Sequence, residues 1–510
     1  ALHMSHMAAL AEVMGMPMAK VYEVASFYAH FRILSDGEQA PKITVRVCDG
    51  PACKMSGSAN LLQKIAEKSG SDIDVVDAPC VGRCNNAPVV EVGQNHLTNA
   101  NIAKVNRAIE DNDILPQAIM GTGYGDYRDS GGYRYLESCL AGEHAFEDIF
   151  KTLETSGLRG LGGAGFPSGL KWKFVRAEAG PRFVVVNADE GEPGTFKDRH
   201  ILSTAPHRLL EGALIAAWAV GAADVYIYLR DEYHDVRLLL KEAIAEAENA
   251  GMTKQARIHL RRGAGAYICG EESSMLESIE GKRGIPRQKP PFPSQVGLFG
   301  RPTLIHNVET LYWIRDILEK GGDWYASKGK QGHKGLKHFS VSGWVKEPGV
   351  KLAPAGISVR DLIDEYCGGM SDGHKFKGYL PGGASGGIMP ASLADVPLDF
   401  GTLEEHGCFI GSSAIVILSD TENIASLAQD LMRFFKDESC GQCTPCRSGT
   451  EKADTLMQQE NWDVPLIKKL CDVMSDSSIC GLGQAAPNPV RSLFRFFSYD
   501  VPSVGDKNKL

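Results

Sequence analysis

The cysteine spacing constrains this chain more than any other feature. Of 13 cysteines, four stand in two open pairs, Cys48-x4-Cys53 and Cys80-x3-Cys84. Three more form a tight run, Cys440-x2-Cys443-x2-Cys446. A disulfide framework is a poor fit, because the number is odd and no secretion signal is recognisable. Ligation is the better reading. Each N-terminal pair follows a β-rich run, "KITVRV" or "IDVVDAP", and sits in a Gly/Pro/Asn loop. Such loops can gather several sulfurs around one centre without helical constraint. Four thiolates are the ordinary ligand set of a [2Fe–2S] cluster. Zinc is the competing occupant, but structural zinc sites use tighter and more regular pairs. The C-x2-C-x2-C run supplies three of the four iron ligands of a [4Fe–4S] cluster. The fourth is assigned to Cys480, in the turn-like "SSICGLGQ", over Cys471, which lies on the amphipathic helical pattern "PLIKKLCDVM" and reads as a core thiol. Cys139, Cys269, Cys367 and Cys408 are isolated, and each defaults to a small buried hydrophobe.

The stretch "GLRGLGGAGFPSGLKW" contains G-x-G-x-x-G at Gly160, Gly162 and Gly165. A dinucleotide fingerprint follows a strand and opens a helix. Here the upstream Phe146, Ile149, Phe150 and Leu153 have helical spacing, so a helix enters the loop. Downstream, Pro167 and Gly169 are expected before any helix, and the first strong strand comes only with "RFVVVNADEGEPGTFKDR". The string therefore fails as a Rossmann fingerprint. Its glycines still bare backbone N–H groups, and with Arg159 and Lys171 nearby they suit an anionic ligand. The next loop adds Asn187, Asp189, Glu190 and Glu192. Carboxylates repel a phosphate but suit the hydroxyls of ribitol or ribose. The combination points to a nucleotide-like cofactor with a sugar.

A chain of 510 residues suggests three or four domains, and 43% hydrophobic residues suffice for ordinary cores. A net charge of −9 without any basic run argues against nucleic-acid binding. No apolar run reaches the roughly 18 residues of a membrane span. The most apolar stretch, "LLEGALIAAWAVGAADVYIYL", is interrupted by Glu211 and glycines and reads as a buried helix followed by a strand. The opening "ALHMSHMAALAEVMGM" reads as mid-helix, so part of the natural N-terminus is expected to be missing from the given chain.

The quoted stretches, with "GAGAYICGEESSMLESIEGKRGIPRQKPPFP" and "ESCGQCTPCRSGT", resemble the NADH-oxidising flavoprotein subunit of respiratory complex I. The first four-cysteine set resembles the small thioredoxin-like [2Fe–2S] subunit of the same module, here fused into one chain. The fusion resembles the diaphorase (beta) subunits of cytosolic NAD-dependent formate dehydrogenases and the flavoprotein subunits of NAD-reducing hydrogenases. "RRGAGAYICGEES", "VKLAPAG", "LPGGASGGIMPASL" and "PLDFGTL" lie nearest to the formate dehydrogenase group.

The resemblance implies a multidomain α/β and α+β chain. A helical segment (1–37) precedes a thioredoxin-like [2Fe–2S] domain (38–112), a linker (113–133) and a Rossmann-like FMN/NADH domain (134–333). A β-grasp domain of the soluble-ligand-binding type (334–420) and a helical [4Fe–4S] bundle (421–510) complete it. FMN contacts are implied at Gly160, Gly162, Lys171, Asn187, Asp189, Tyr267, Gly270, Glu271, Asn307 and Thr310. Phe166, Glu190, Glu192, Glu272, Lys289 and Phe292 are implied on the NAD(H) side. The [2Fe–2S] ligands are Cys48, Cys53, Cys80 and Cys84, and the [4Fe–4S] ligands Cys440, Cys443, Cys446 and Cys480. Two positions depart from the complex I pattern. Leu161 stands where that form has an arginine, and His306 where the family commonly has a second asparagine.

Hydride transfer between nicotinamide and flavin needs stacking and orientation, so no catalytic acid or base is assigned. No molybdenum, tungsten or nickel site is recognisable in the sequence. The resemblance therefore implies a cytoplasmic complex with a molybdenum- or tungsten-containing formate dehydrogenase subunit carrying further iron–sulfur clusters, with room for a small [2Fe–2S] subunit, and without nucleic acid or membrane insertion. The alternatives are the hydrogenase flavoprotein, the complex I subunit, and, from another class, a cluster-bearing scaffold without flavin.

Overall fold

The alternation of "KITVRV" makes a strand, Ile43–Cys48, whose Ile43, Val45 and Val47 face a small core. It pairs in parallel with Ile73–Ala78 and antiparallel with Val90–Val92, which pairs in turn with Asn95–Leu97. The helix Ser58–Lys68 makes the crossover between the parallel strands, giving a thioredoxin-like unit with both cysteine pairs at one end. The computed structural model describes residues 1–502 apart from Asp36, Ser69 and Ser71, so residues 503–510 of the expected C-terminal domain lie outside the described residues. Ahead of this unit, the helices Met4–Met14 and Met18–Phe27 pack through Met7, Ala11, Val21 and Ala25. Tyr28 then donates its hydroxyl proton to the Lys282 carbonyl at 2.7 Å, tying the N-terminus to a distant part of the chain.

Residues 113–133 were expected as a linker, and here the structure differs. They contain the helix Tyr124–Asp129, and Tyr127 is buried with its hydroxyl donating to Glu211. Tyr133 is also buried and bonds His207 at 3.0 Å. The stretch packs against the next unit because its tyrosines can bury their rings while satisfying their hydroxyls.

That next unit is a four-stranded parallel sheet in the order Thr303–Asn307, Arg182–Ala188, Ala222–Leu229, Arg257–Arg262. The apolar run reads out as expected, with a buried helix, Pro206–Val220, and then the strand Ala222–Leu229. The chain leaves Arg182–Ala188 towards one side of the sheet and returns to its other side as Thr303–Asn307. A crevice therefore opens at the carboxyl ends of these two strands, the usual ligand position in such sheets.

A five-stranded mixed sheet follows, centred on the parallel pair Leu336–Gly343 and Ala414–Ser419, with Gly349–Pro354 on one side and Phe376–Leu380 and Met389–Pro390 on the other. This is a β-grasp arrangement. The C-terminal helices Ile424–Asp437, Thr444–Met457, Val464–Ser477 and Asn488–Phe496 bury one apolar face each in a shared core. Among the described residues no helix is long and apolar enough to cross a membrane.

Candidate functional site

The crevice is built from strand ends. Asn187 and Asn307 are register partners on adjacent strands. Asn187 donates Nδ2–H to the Gly270 carbonyl at 2.8 Å and accepts the Asp189 N–H on Oδ1 at 3.1 Å. Asn307 accepts from Lys197 Nζ at 3.2 Å and donates to Asp198. Lys197 also pairs with Glu309 at 3.1 Å, so a buried charge cluster underlies the crevice floor.

The glycine loop closes over this floor. A helix, Phe146–Ser156, does enter it, ending at Gly157 with φ 68°. The helix Ser168–Ala177 begins directly after Pro167, however, and Gly169 lies inside it instead of ahead of it. A Cβ at Gly169 would come within 3.1 Å of Glu154 Cγ, so glycine is what lets the two helices meet. Leu161 N–H donates to Thr310 Oγ1 at 2.9 Å. A Cβ at Gly162 would stand 2.9 Å from Asn307 Cβ, while one at Gly160 would meet nothing nearer than 3.7 Å. Arg159 is exposed. Its Nε donates to the Gly165 carbonyl and its guanidinium lies 5.0 Å from the Phe400 ring, because Phe400 of the β-grasp unit reaches under the loop. His306 is buried and accepts the Trp172 indole proton at 2.7 Å. Burial, then Lys171, holds it well below the usual histidine range, and it serves as a neutral structural acceptor.

The acidic residues have separate roles. Asp189 Oδ2 is buried without a hydrogen-bond partner, and burial pushes its carboxyl well above the ordinary range. Glu190, expected on the NAD(H) side, turns inwards. Its oxygens accept the Asp198 N–H at 2.7 Å, the Arg199 N–H at 2.9 Å and the Tyr233 hydroxyl at 2.8 Å, capping the helix Lys197–Thr204. Glu192 accepts from the Tyr267 hydroxyl and from Ser385 N and Oγ at 2.7 and 2.8 Å, joining the β-grasp unit to the cleft. Glu271 caps the helix Glu272–Ile279 through Ser273 N and Ser274 N and accepts Lys289 Nζ at 2.9 Å. Glu272 sits between Lys289 at 2.8 Å and Lys171 at 3.4 Å. Burial opposes its ionisation, but the two lysines outweigh it and hold its carboxyl below the usual range. Phe166 and Phe292 are 42% and 52% exposed, and Phe174, which no sequence motif marks, lies 6.4 Å from Phe166. Lys197, Asp198, Arg230, Tyr233 and Phe400 were also missed. Lys197 and Asp198 stand in the quoted "TFKDR" run without a role of their own, Arg230, Tyr233 and Phe400 carry no motif, and only the folded chain sets them around the crevice.

Cys48, Cys53, Cys80 and Cys84 are all buried in one pocket. Cys80 and Cys84 sulfurs stand 3.2 Å apart, and the Cys48 thiol neighbours those of Cys53 and Cys80. Cys53 lies in a short helix, Pro51–Met55, where a loop was expected, because Pro51 is preorganised for its first turn. Cys446 has Cys440, Cys443 and Cys480 around it. A Cβ on Gly483 would lie 2.8 Å from Cys446 Cβ, so glycine there permits the Cys480 turn to close on the run. Cys471 is buried with Arg491 and Asp472 as its charged neighbours and touches none of this. All 13 thiols are free of disulfides. Among the described residues no three His, Cys, Asp or Glu side chains converge on a single-ion site. The sulfur groupings suit clusters in preference to zinc, and the side-chain-free glycine loop over Asn307 suits a cofactor that lies close to backbone.

Three family profiles match. "Nuo51 FMN-binding domain" covers residues 153–316, "NADH-ubiquinone oxidoreductase-F iron-sulfur binding region" residues 426–503, and "Thioredoxin-like [2Fe-2S] ferredoxin" residues 1–113. The mitochondrial NADH dehydrogenase [ubiquinone] flavoprotein 1 of Dictyostelium discoideum is 43% identical over 381 residues, 71% of this chain and 79% of the relative. The mitochondrial 51 kDa subunit of NADH-ubiquinone oxidoreductase from Neurospora crassa is 36% identical over 461 residues, 86% of this chain and 92% of the relative. A chain in the crystal structure of NAD+-reducing [NiFe]-hydrogenase in the H2-reduced state superposes with a TM-score of 0.88 at 29% identity, covering 99% of this chain and 91% of that one.

Fold and site thus define an iron–sulfur flavoprotein subunit that exchanges electrons with NAD(H). The chain belongs to the family of the NADH-binding 51 kDa flavoprotein subunit of NADH:quinone oxidoreductases, extended by a thioredoxin-like [2Fe–2S] domain. It carries FMN, NAD(H), one [4Fe–4S] and one [2Fe–2S] cluster.

Proposed function

We propose that this chain is the NAD(H)-reacting subunit of a cytoplasmic NAD-dependent formate dehydrogenase, working with a molybdenum- or tungsten-containing subunit that oxidises formate. The observation that carries this reading is the fusion itself. One chain holds the [2Fe–2S] domain at 1–113 and the flavoprotein at 153–503, a layout it shares over nearly its full length with a chain of an NAD+-reducing hydrogenase. The choice of formate over hydrogen rests on the likeness of "RRGAGAYICGEES", "VKLAPAG", "LPGGASGGIMPASL" and "PLDFGTL" to the formate dehydrogenase group.

When bound, FMN would supply the chemistry that links two-electron hydride exchange with nicotinamide to one-electron exchange with iron–sulfur clusters. The chain's own residues bind and orient. Gly160 and Gly162 leave room for the cofactor, and Asp189 follows the strand end at the crevice, its N–H held by Asn187. Lys171, Lys289 and Glu272 form a charged rim, with Phe166 and Phe292 exposed to cover a nucleotide. Glu190 acts behind the cleft, holding its floor. Cys48, Cys53, Cys80 and Cys84 hold the smaller cluster, and Cys440, Cys443, Cys446 and Cys480 the larger.

The second reading is the diaphorase subunit of an NAD-reducing hydrogenase, favoured by the coverage of that structure. Purification of the natural complex through a tag on this chain separates them. NAD+ reduction by formate is expected. Reduction by hydrogen with no response to formate would overturn the first choice in favour of the second.

A further inference from the structure

Arg230 joins the small cluster's loop to the cleft. It follows the strand Ala222–Leu229 and is 4% exposed. Its Nη2 donates to the Cys80 carbonyl and, at 2.9 Å, to Glu232 Oε1. Its Nη1 donates to the Glu190 carbonyl at 2.8 Å. A second guanidinium of the same unit, Arg199, donates to the Gly82 carbonyl at 2.7 Å. Arg83 also lies here but is paired with Asp235 at 2.6 Å. The Tyr233 hydroxyl fills the space a Cβ on Gly82 would need. The loop 80–84 is therefore pressed against the flavoprotein unit, and that unit, not the thioredoxin-like one, supplies the cations at its backbone.

A thiolate-held [2Fe–2S] centre gains negative charge when it is reduced, and its potential responds to charge, hydrogen bonds and burial. A guanidinium held in a low-dielectric seam acts over several ångströms with little screening. Its effect is to favour the reduced centre, while Glu232 offsets part of it.

We infer that Arg230 is a positioning residue that raises the reduction potential of the [2Fe–2S] centre, so that docking of the flavoprotein unit makes this centre an electron acceptor within the chain. This rests on the proposed ligand role of Cys48, Cys53, Cys80 and Cys84. Arg230 thereby couples two units that the linear sequence keeps apart.

The test is a redox titration of the intact complex followed by electron paramagnetic resonance, for wild type, Arg230→Gln and Arg230→Lys. Arg230→Gln is expected to move the [2Fe–2S] midpoint to more negative potential, corresponding to a loss of about tenfold in its reduction equilibrium, ~59 mV for one electron. Arg230→Lys keeps the charge and is expected to recover most of that shift, while the [4Fe–4S] midpoint stays put in both. An unchanged [2Fe–2S] midpoint in Arg230→Gln, or equal shifts in both clusters, overturns the inference. Should Arg230→Gln lose its cluster, Glu232→Gln decides: removing the countercharge must move the midpoint to more positive potential, and a null or negative shift overturns it. A wild type without any [2Fe–2S] signal would instead strike down the cysteine assignment, and the inference with it.

Discussion

Asn187 and Asn307 stand side by side at the carboxyl ends of neighbouring parallel strands, and the glycine loop lies so close over Asn307 that position 162 has no room for a Cβ. This pairing is the floor of the proposed cofactor cradle. Gly162→Ala should push loop and strand apart at a cost of about 1–3 kcal/mol, the usual range for overpacking. The expected outcome is a lower FMN-to-protein ratio after purification, with the cluster signals retained. Full flavin content in this variant would show that the loop does not cradle FMN.

Asp189 carries a buried oxygen with nothing to bond. Leaving such a group unsatisfied costs about 1–3 kcal/mol. Asp189→Ala should therefore raise the melting temperature of flavin-depleted protein while lowering flavin retention. Opposite signs in calorimetry and flavin content are the signature of a ligand-directed carboxylate. Destabilisation in both assays would make it a structural residue.

Lys289 bridges Glu271 and Glu272 at the cleft rim. Lys289→Ala removes a cation from the side proposed to receive NAD(H), and charge-assisted bonds are worth about 1.5–3 kcal/mol. Steady-state kinetics with NADH and an artificial acceptor should show KM raised by about tenfold or more with a smaller change in kcat.

Cys480 and Cys471 differ in place, not in chemistry. Cys480→Ser should abolish or distort the [4Fe–4S] spectrum, because that thiol faces the Cys440–Cys446 run. Cys471→Ser should leave the spectrum intact and cost only stability, since the thiol is buried in the helical core. The reverse pattern would exchange their assignments.

Burial, and then Asp198, raises the Glu190 carboxyl from 4.5 to about 7. The folded chain thus binds a proton more tightly than the unfolded one, and this group's contribution to stability falls as pH rises through that window. A carboxyl band titrating near 7 is expected by infrared spectroscopy, absent in Glu190→Gln. The variant should also lose part of the decline in melting temperature over the same range.

Much of this was legible in the chain because the signals were local. The C-x2-C-x2-C run brings three sulfurs together within one turn of backbone, and the helical spacing of Phe146, Ile149, Phe150 and Leu153 identified what enters the glycine loop. The tyrosines near 124–133 were misread as linker because composition does not say which rings are buried.

By itself, then, the sequence marked the candidate ligand sulfurs, the order of helices and strands, and the candidate glycine cradle, since each depends on residues a few positions apart. Only the tertiary structure decided what each charge does. Glu190 turns inwards because Tyr233 and the helix Lys197–Thr204 wait for it, and Arg159 lies 5.0 Å from the ring of Phe400, far along the chain. Arg230 meets Cys80 across 150 residues. A side chain's partners are set by the packing of whole units, and no local pattern records them.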